Sequence, residues 1–238
     1  MSKVLCVFPD DRTTRFLDKI VRRIGRLLGH DFHCFKIKPR QESHENCLNR
    51  VQTGVEELII FLGHGKSTEL WGADMRNSVF GGTSQIADER FIYKDNISVF
   101  SGKKVFCLSC RSNENISKWA IDSGSITFLG FGDIPTDWIE KEYMIASVRK
   151  TDIYIFRKII TLIVIQALLI SIEKKHTFKQ LESLIKILTN KWMYNRYYVY
   201  KKSIKSIQWV DKNMYNFKEE IIVRGDKTGV RLQSDVIL

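Results

Sequence analysis

Apolar positions follow two rhythms along this chain. Short unbroken runs read as buried strands, and runs recurring every three to four residues read as helices facing a core. Residues 3–9 form the first strand, closed by the Asp10-Asp11 turn. Residues 13–28 then place Phe16, Leu17, Ile20, Ile24 and Leu28 at helical spacing, and Gly29 is a fitting stop. The same reading gives a strand at 32–37, a helix at 43–53 and a strand at 57–62. Residues 63–82 are loop-rich, with a short strand near Leu70-Trp71 and a turn at Gly81-Gly82. A strand at 105–109, a helix at 113–123 and a strand at 125–131 follow, and then the loop Gly132-Asp133-Ile134-Pro135. Helices are expected at 139–149, 152–174 and 178–192. Two short strands, 220–224 and 229–232, flank Gly225-Asp226-Lys227-Thr228 as a C-terminal β-hairpin.

Strands alternate with helices through the first 130 residues or so. That pattern predicts an α/β fold, a mainly parallel sheet with helices on both faces. In such sheets ligands and chemistry gather at the carboxyl ends of the strands. The 238 residues hold only three Pro and no Gly/Ser-rich linker, so a single domain over 1–238 is expected. Its core would be 1–138, followed by a helical, basic half over 139–238.

Charge sharpens this division. Residues 141–238 carry 19 Lys and Arg against 9 Asp and Glu, whereas residues 1–140 carry 19 against 18. The formal net charge of +11 therefore sits in the second half. Such a surface suits an acidic partner, an anionic membrane or nucleic acid, or is simply a set of solvated lysines. Trp192, Tyr194, Tyr197, Tyr198 and Tyr200 lie among Lys191, Arg196, Lys201 and Lys202. Stacking and charge there would suit a nucleic acid, although packing of the aromatics into an amphipathic element is the favoured reading. Residues 153–172 are strongly apolar, but Arg157, Lys158 and Gln166 interrupt them. The clean part, 159–172, falls short of the roughly 20 residues of a bilayer span, which predicts a buried helix and no membrane crossing. Five cysteines, an odd number, with no secretory leader ahead of them, fit reduced thiols in the cytoplasm.

Two strand ends carry the candidate chemistry. Ile59-Ile60-Phe61-Leu62 runs into Gly63-His64-Gly65, and Val105-Phe106-Cys107-Leu108 runs into Ser109-Cys110-Arg111-Ser112. A His and a Cys at neighbouring strand ends are what a nucleophilic dyad requires: the imidazole accepts the thiol proton and the thiolate attacks. The backbone N–H groups of Gly65 and Cys110 are candidate oxyanion donors. Other uses of these segments are weaker. Cys107 and Cys110 form a C-x-x-C, but within a strand they would point to opposite faces, and no second pair completes a zinc site. Gly63-His64-Gly65-Lys66-Ser67 lacks the upstream glycine of a phosphate loop. No metal and no cofactor is expected.

These segments resemble the caspase-like cysteine peptidases, the superfamily of caspases, metacaspases, gingipains, separases and bacterial CHAT domains. A His some 50 residues ahead of a Cys-Arg is the caspase arrangement. The tail Ile221-Ile222-Val223-Arg224-Gly225-Asp226 is similar to the closing strand of several bacterial members. The resemblance implies a caspase-like sheet, a catalytic His64–Cys110 dyad and cleavage of a protein substrate. Where caspases carry Gln and metacaspases Asp, two residues before the nucleophile, this chain has Leu108. Substrate-binding candidates are therefore Leu108 itself, Asp133 after the fourth strand, and Asp11 (with Asp10) after the first. With no evident regulatory domain, control by a separate protein partner is expected, as in bacterial members that work in antiviral immunity. The alternative is a non-catalytic caspase-like scaffold that binds a protein or nucleic acid through its basic half.

Overall fold

A computed structural model describes residues 3–11, 13–73, 90–136, 149–199, 204–227 and 229–232. The chain is α/β. One sheet holds β1 (Val4–Pro9), β2 (Phe32–Ile37), β3 (Leu58–Leu62), β7 (Lys104–Leu108), β8 (Thr127–Gly130) and β9 (Ile222–Gly225), in the order β2-β1-β3-β7-β8-β9. All neighbours are parallel except β9, which pairs antiparallel with β8 at the edge. A second, small antiparallel sheet joins β4 (Gly65–Lys66), β5 (Glu69–Trp71) and β6 (Arg90–Tyr93).

The parallel strands are buried on both faces, so they read as continuous apolar runs. Alternation along each strand divides the core into two layers. Val4, Cys6, Phe8, Leu62 and Leu108 belong to one layer, with α1 (Asp18–Leu28), α4 (Lys150–Glu173), α5 (Phe178–Val199) and α6 (Ile204–Glu219). Leu5, Val7, Phe61 and Cys107 belong to the other, with α2 (Gln41–Thr53) and α3 (Asn115–Asp122).

Among the described residues, α4 is the one helix long and apolar enough to cross a membrane, with a mean hydropathy of 2.1. Its position accounts for that composition: α4 packs against α1, α5 and α6, with Phe156, Ile160, Ile163, Val164 and Ala167 fully buried. At its N-terminus Asp152 Oδ2 accepts from the Arg149 N–H (3.2 Å), and the Asp152 N–H donates to the Arg149 carbonyl (3.0 Å).

The expected elements lie close to the observed ones, with informative differences. Residues 13–28 begin with a 3₁₀ turn, Arg15–Leu17, before α1. Helix α5 runs past Trp192 to Val199. At the C-terminus β9 pairs with β8, while the returning arm is pinned to the α4–α5 turn: Arg231 bridges Thr177, and Phe178 N–H donates to the Val230 carbonyl (3.2 Å). The Gly81-Gly82 turn, nearly all of the helix expected at 139–149, and Tyr200, Lys201 and Lys202 lie outside the described residues.

Candidate active site

Strand register brings the two candidate residues together. β3 pairs with β7 so that Leu62 faces Leu108, an offset of 46 residues that also separates His64 from Cys110. Gly63 N–H still donates to the Leu108 carbonyl (3.2 Å), extending the ladder one residue beyond β3. His64 and Cys110 thus each follow the last paired residue by two, on adjacent parallel strands whose spacing is about 4.8 Å. Both side chains line one pocket, with Gly63 and Ser109 beside them. Its empty volume of about 290 Å³ includes the part open to solvent.

The first strand completes this edge. β1 is followed in sequence by its neighbour β2 on one side, and the chain then crosses to β3 on the other. The carboxyl ends of β1 and β3 therefore flank a topological switch point, the usual place for a ligand crevice. The loop after β1 reaches His64 directly: Thr13 Oγ1 lies 2.5 Å from His64 Nε2, and Asp11 Oδ2 lies 3.9 Å from the same nitrogen. Asp11 Oδ1 accepts from Thr13 N–H (2.8 Å), which fixes the loop. Asp10 turns the other way. It pairs with Lys36 and Lys38, each at 2.7 Å, and the Lys36 and Lys38 hydrogen bonds hold its carboxyl below the usual range.

The turn after β7 is tightly tied. Ser112 Oγ donates toward the Cys107 and Ser109 carbonyls (2.9 and 2.8 Å) and accepts from Phe131 N–H (3.0 Å). Arg111 adopts a left-handed backbone (φ 53°), unusual outside glycine, and its N–H donates to the Gly132 carbonyl (2.9 Å). The Arg111 guanidinium grips Glu114 at 2.8 and 3.0 Å, and this contact, with lesser help from Asp133 and Cys110, raises its pKa further. A positive charge therefore stands beside the candidate nucleophile. Cys110 Sγ lies 3.2 Å from the Ile134 carbonyl, to which the thiol donates.

Gly65 packs so closely that no larger residue fits. A Cβ there would lie 2.4 Å from Ser109 Oγ and 2.7 Å from the Glu69 carbonyl oxygen. The β4–β5 hairpin is thus seated on the turn that carries Cys110, and Trp71 N–H closes it onto the His64 carbonyl (3.0 Å). Ser109 Oγ is buried with no hydrogen-bond partner among the described residues.

Of the substrate-binding candidates, Leu108 is buried in the pocket wall and Asp11 stands beside His64. Asp133 is exposed, its N–H donating to Glu220 Oε2 (3.0 Å), and it is absent from the described pocket lining. Thr13, Ser109 and Ile134 are site residues that sequence reasoning missed. Only the position of Thr13, just past a strand end, hinted at a role. Cys107 packs in the opposite layer from Cys110, and burial pushes its thiol well up. Among the described residues no group of three or more His, Cys, Asp or Glu side chains is arranged to hold a metal ion.

Neither a protein-family model nor a curated protein sequence matches this chain.

Proposed function

We propose that the chain is a caspase-like cysteine endopeptidase in which His64 and Cys110 act as a dyad. The observation that carries this reading is the shared register: both residues lie two positions past paired strand ends and face one pocket. Thr13 supports it by holding His64 Nε2, so that in the proposed dyad the thiol proton passes to Nδ1. Asp11 Oδ2 stands 3.9 Å from His64 Nε2, at the edge of the ring away from the substrate.

The reaction runs in two stages. His64 accepts the Cys110 proton, and the thiolate attacks the peptide carbonyl, forming an S–C bond. The carbonyl oxygen takes the negative charge, and the N–H groups of Gly65 and Cys110 hold it. Collapse breaks the C–N bond, and His64 returns the proton to the leaving amine. Water, deprotonated by His64, then hydrolyses the thioester and frees Cys110. At rest the Cys110 thiol donates to the Ile134 carbonyl (3.2 Å). Transfer of that proton to His64 ends the hydrogen bond and frees the sulfur to attack.

The test is cleavage itself. Wild type and Cys110→Ala are incubated with candidate protein substrates and a peptide library, and new termini are mapped by mass spectrometry. Termini that appear with wild type alone are expected; identical termini from both proteins sink the proposal.

A further inference from the structure

Helix α1 and the 3₁₀ turn before it present two unlike sides. Leu17, Ile20, Val21, Ile24 and Leu28 face the core, each at most 8% exposed, in the layer that also holds α4. Arg15, Lys19, Arg22, Arg23 and Arg26 are all exposed. Arg22 and Arg23 are adjacent, and the other intervals along the row are three or four residues. At 3.6 residues per turn this places the five cations on one stripe, about 100° wide and about 16 Å long.

Asp18 is the sole acid between residues 15 and 26. Its backbone carbonyl accepts from Arg22 Nε (3.4 Å), while its charge bears on Cys34 of β2, whose thiol is pushed up first by burial and then by Asp18. Residues 1–140 hold 19 Lys and Arg against 18 Asp and Glu, so the stripe is a local concentration within a nearly neutral half of the chain. Because the apolar side is packed in the core, the helix holds these charges as a fixed row.

We propose that the basic stripe of α1 docks on the phosphate backbone of a nucleic-acid duplex. A duplex carries one negative charge per about 1.7 Å of its axis, at regular intervals. The stripe meets that array with positive charge on every turn of a rigid helix. Four of its five cations are Arg, whose planar fork takes two phosphate oxygens at once. Contacts of this kind position a protein on the duplex without reading its sequence. A membrane surface fits less well: an interfacial helix buries its apolar side in lipid, and here that side is committed to the core. An acidic protein would have to match the row with separate carboxylates, where a duplex supplies a phosphate at every step. The inference stands apart from the peptidase reading and holds whether or not Cys110 is a nucleophile.

Fluorescence anisotropy with labelled DNA and RNA duplexes, read between about 50 and 200 mM KCl, tests this. Each neutralised phosphate adds about −0.9 to the slope of log K against log salt. Five therefore predict about −4.5, a loss of roughly 500-fold across that range. The triple variant Arg22→Gln, Arg23→Gln, Arg26→Gln is expected to bring the slope to about −2 and to weaken binding at the lower salt by at least about 30-fold. The three side chains are exposed and Gln suits a helix, so the fold is kept, which circular dichroism checks. A control variant, Lys174→Gln, Lys191→Gln, Lys212→Gln, removes the same charge from exposed positions in the second half. It is expected to stay within about 3-fold of wild type. No binding of either duplex at the lower salt, or a control variant that loses as much as the α1 variant, overturns the proposal. Vesicles rich in phosphatidylserine, or a poly-glutamate peptide, that displace the duplex at equal negative charge also overturn it.

Discussion

Gly65→Ala sets one methyl group against two neighbours at once. The added carbon falls 2.4 Å from Ser109 Oγ and 2.7 Å from the Glu69 carbonyl, both well inside van der Waals contact. The first neighbour is a buried side chain of the Cys110 turn and the second is backbone of the hairpin itself, so relief requires the β4–β5 hairpin both to lift from that turn and to open at Glu69. Overpacking of this kind costs about 1–3 kcal/mol. For a chain of 238 residues, 2 kcal/mol lowers Tm by about 4–8 °C. Ser109→Ala alone deletes a buried hydroxyl that has no hydrogen-bond partner among the described residues, so it should be neutral or slightly stabilising. Combined with Gly65→Ala it removes one of the two clashes and restores part of the loss, a coupling of about 0.5–1 kcal/mol. Thermal denaturation of the four proteins closes the cycle. The same lift displaces the Gly65 N–H, so peptide cleavage should fall by about 10-fold or more. A Gly65→Ala protein as stable as wild type, or a double variant with no recovery, refutes the packing described.

Thr13→Val keeps the shape of the side chain and removes the hydrogen bond to His64 Nε2, worth about 1 kcal/mol. Cleavage should drop roughly 5-fold with little change in Tm, and an unchanged rate argues against Thr13 as the group that orients His64. Glu56 is buried and accepts from His33 and Arg50, and although burial alone would raise its pKa, these contacts and its own backbone bond hold it below the ordinary value. A depressed carboxylate stabilises the fold above its unfolded pKa, near 4.3, and loses that contribution as pH falls through the folded value. Glu56→Gln should therefore cost about 1–2 kcal/mol at pH 7, and the gap to wild type should close below about pH 4. Urea denaturation across pH 3–7 reads this directly, and a gap that widens in acid contradicts it.

Most of the parallel sheet was legible because its strands are buried on both faces and need no alternation to be recognised. β6 and α6 were not. β6 is four residues long and offers only two fully buried apolar residues, Phe91 and Ile92, too short a run to stand out. α6 presents Val210, Met214 and Phe217 to the core at helical spacing, but basic and amide residues surround them. The aromatic run after Trp192 hid the end of α5 in the same way. The site divides similarly. His64 and Cys110 could be read because the interval between them equals the β3–β7 register offset, a local property of two strands. Thr13, Ser109 and Ile134 reach the site through loop packing among β1, β7 and β8, which no spacing along the chain encodes. Leu108 stood out in the sequence as an apolar residue near the candidate nucleophile, and it lies in the wall of the pocket.

The central claim is that His64 governs the Cys110 thiol. The direct measurement is the pH dependence of alkylation at each cysteine, followed by peptide mass mapping in wild type and His64→Ala. Cys34, exposed and with its pKa pushed up to about 11, is the internal reference. The account predicts that Cys110 in wild type reacts at least about 10-fold faster than Cys34 near pH 7, and that His64→Ala abolishes this advantage while leaving Cys34 unchanged. A Cys110 profile identical in the two proteins would contradict it.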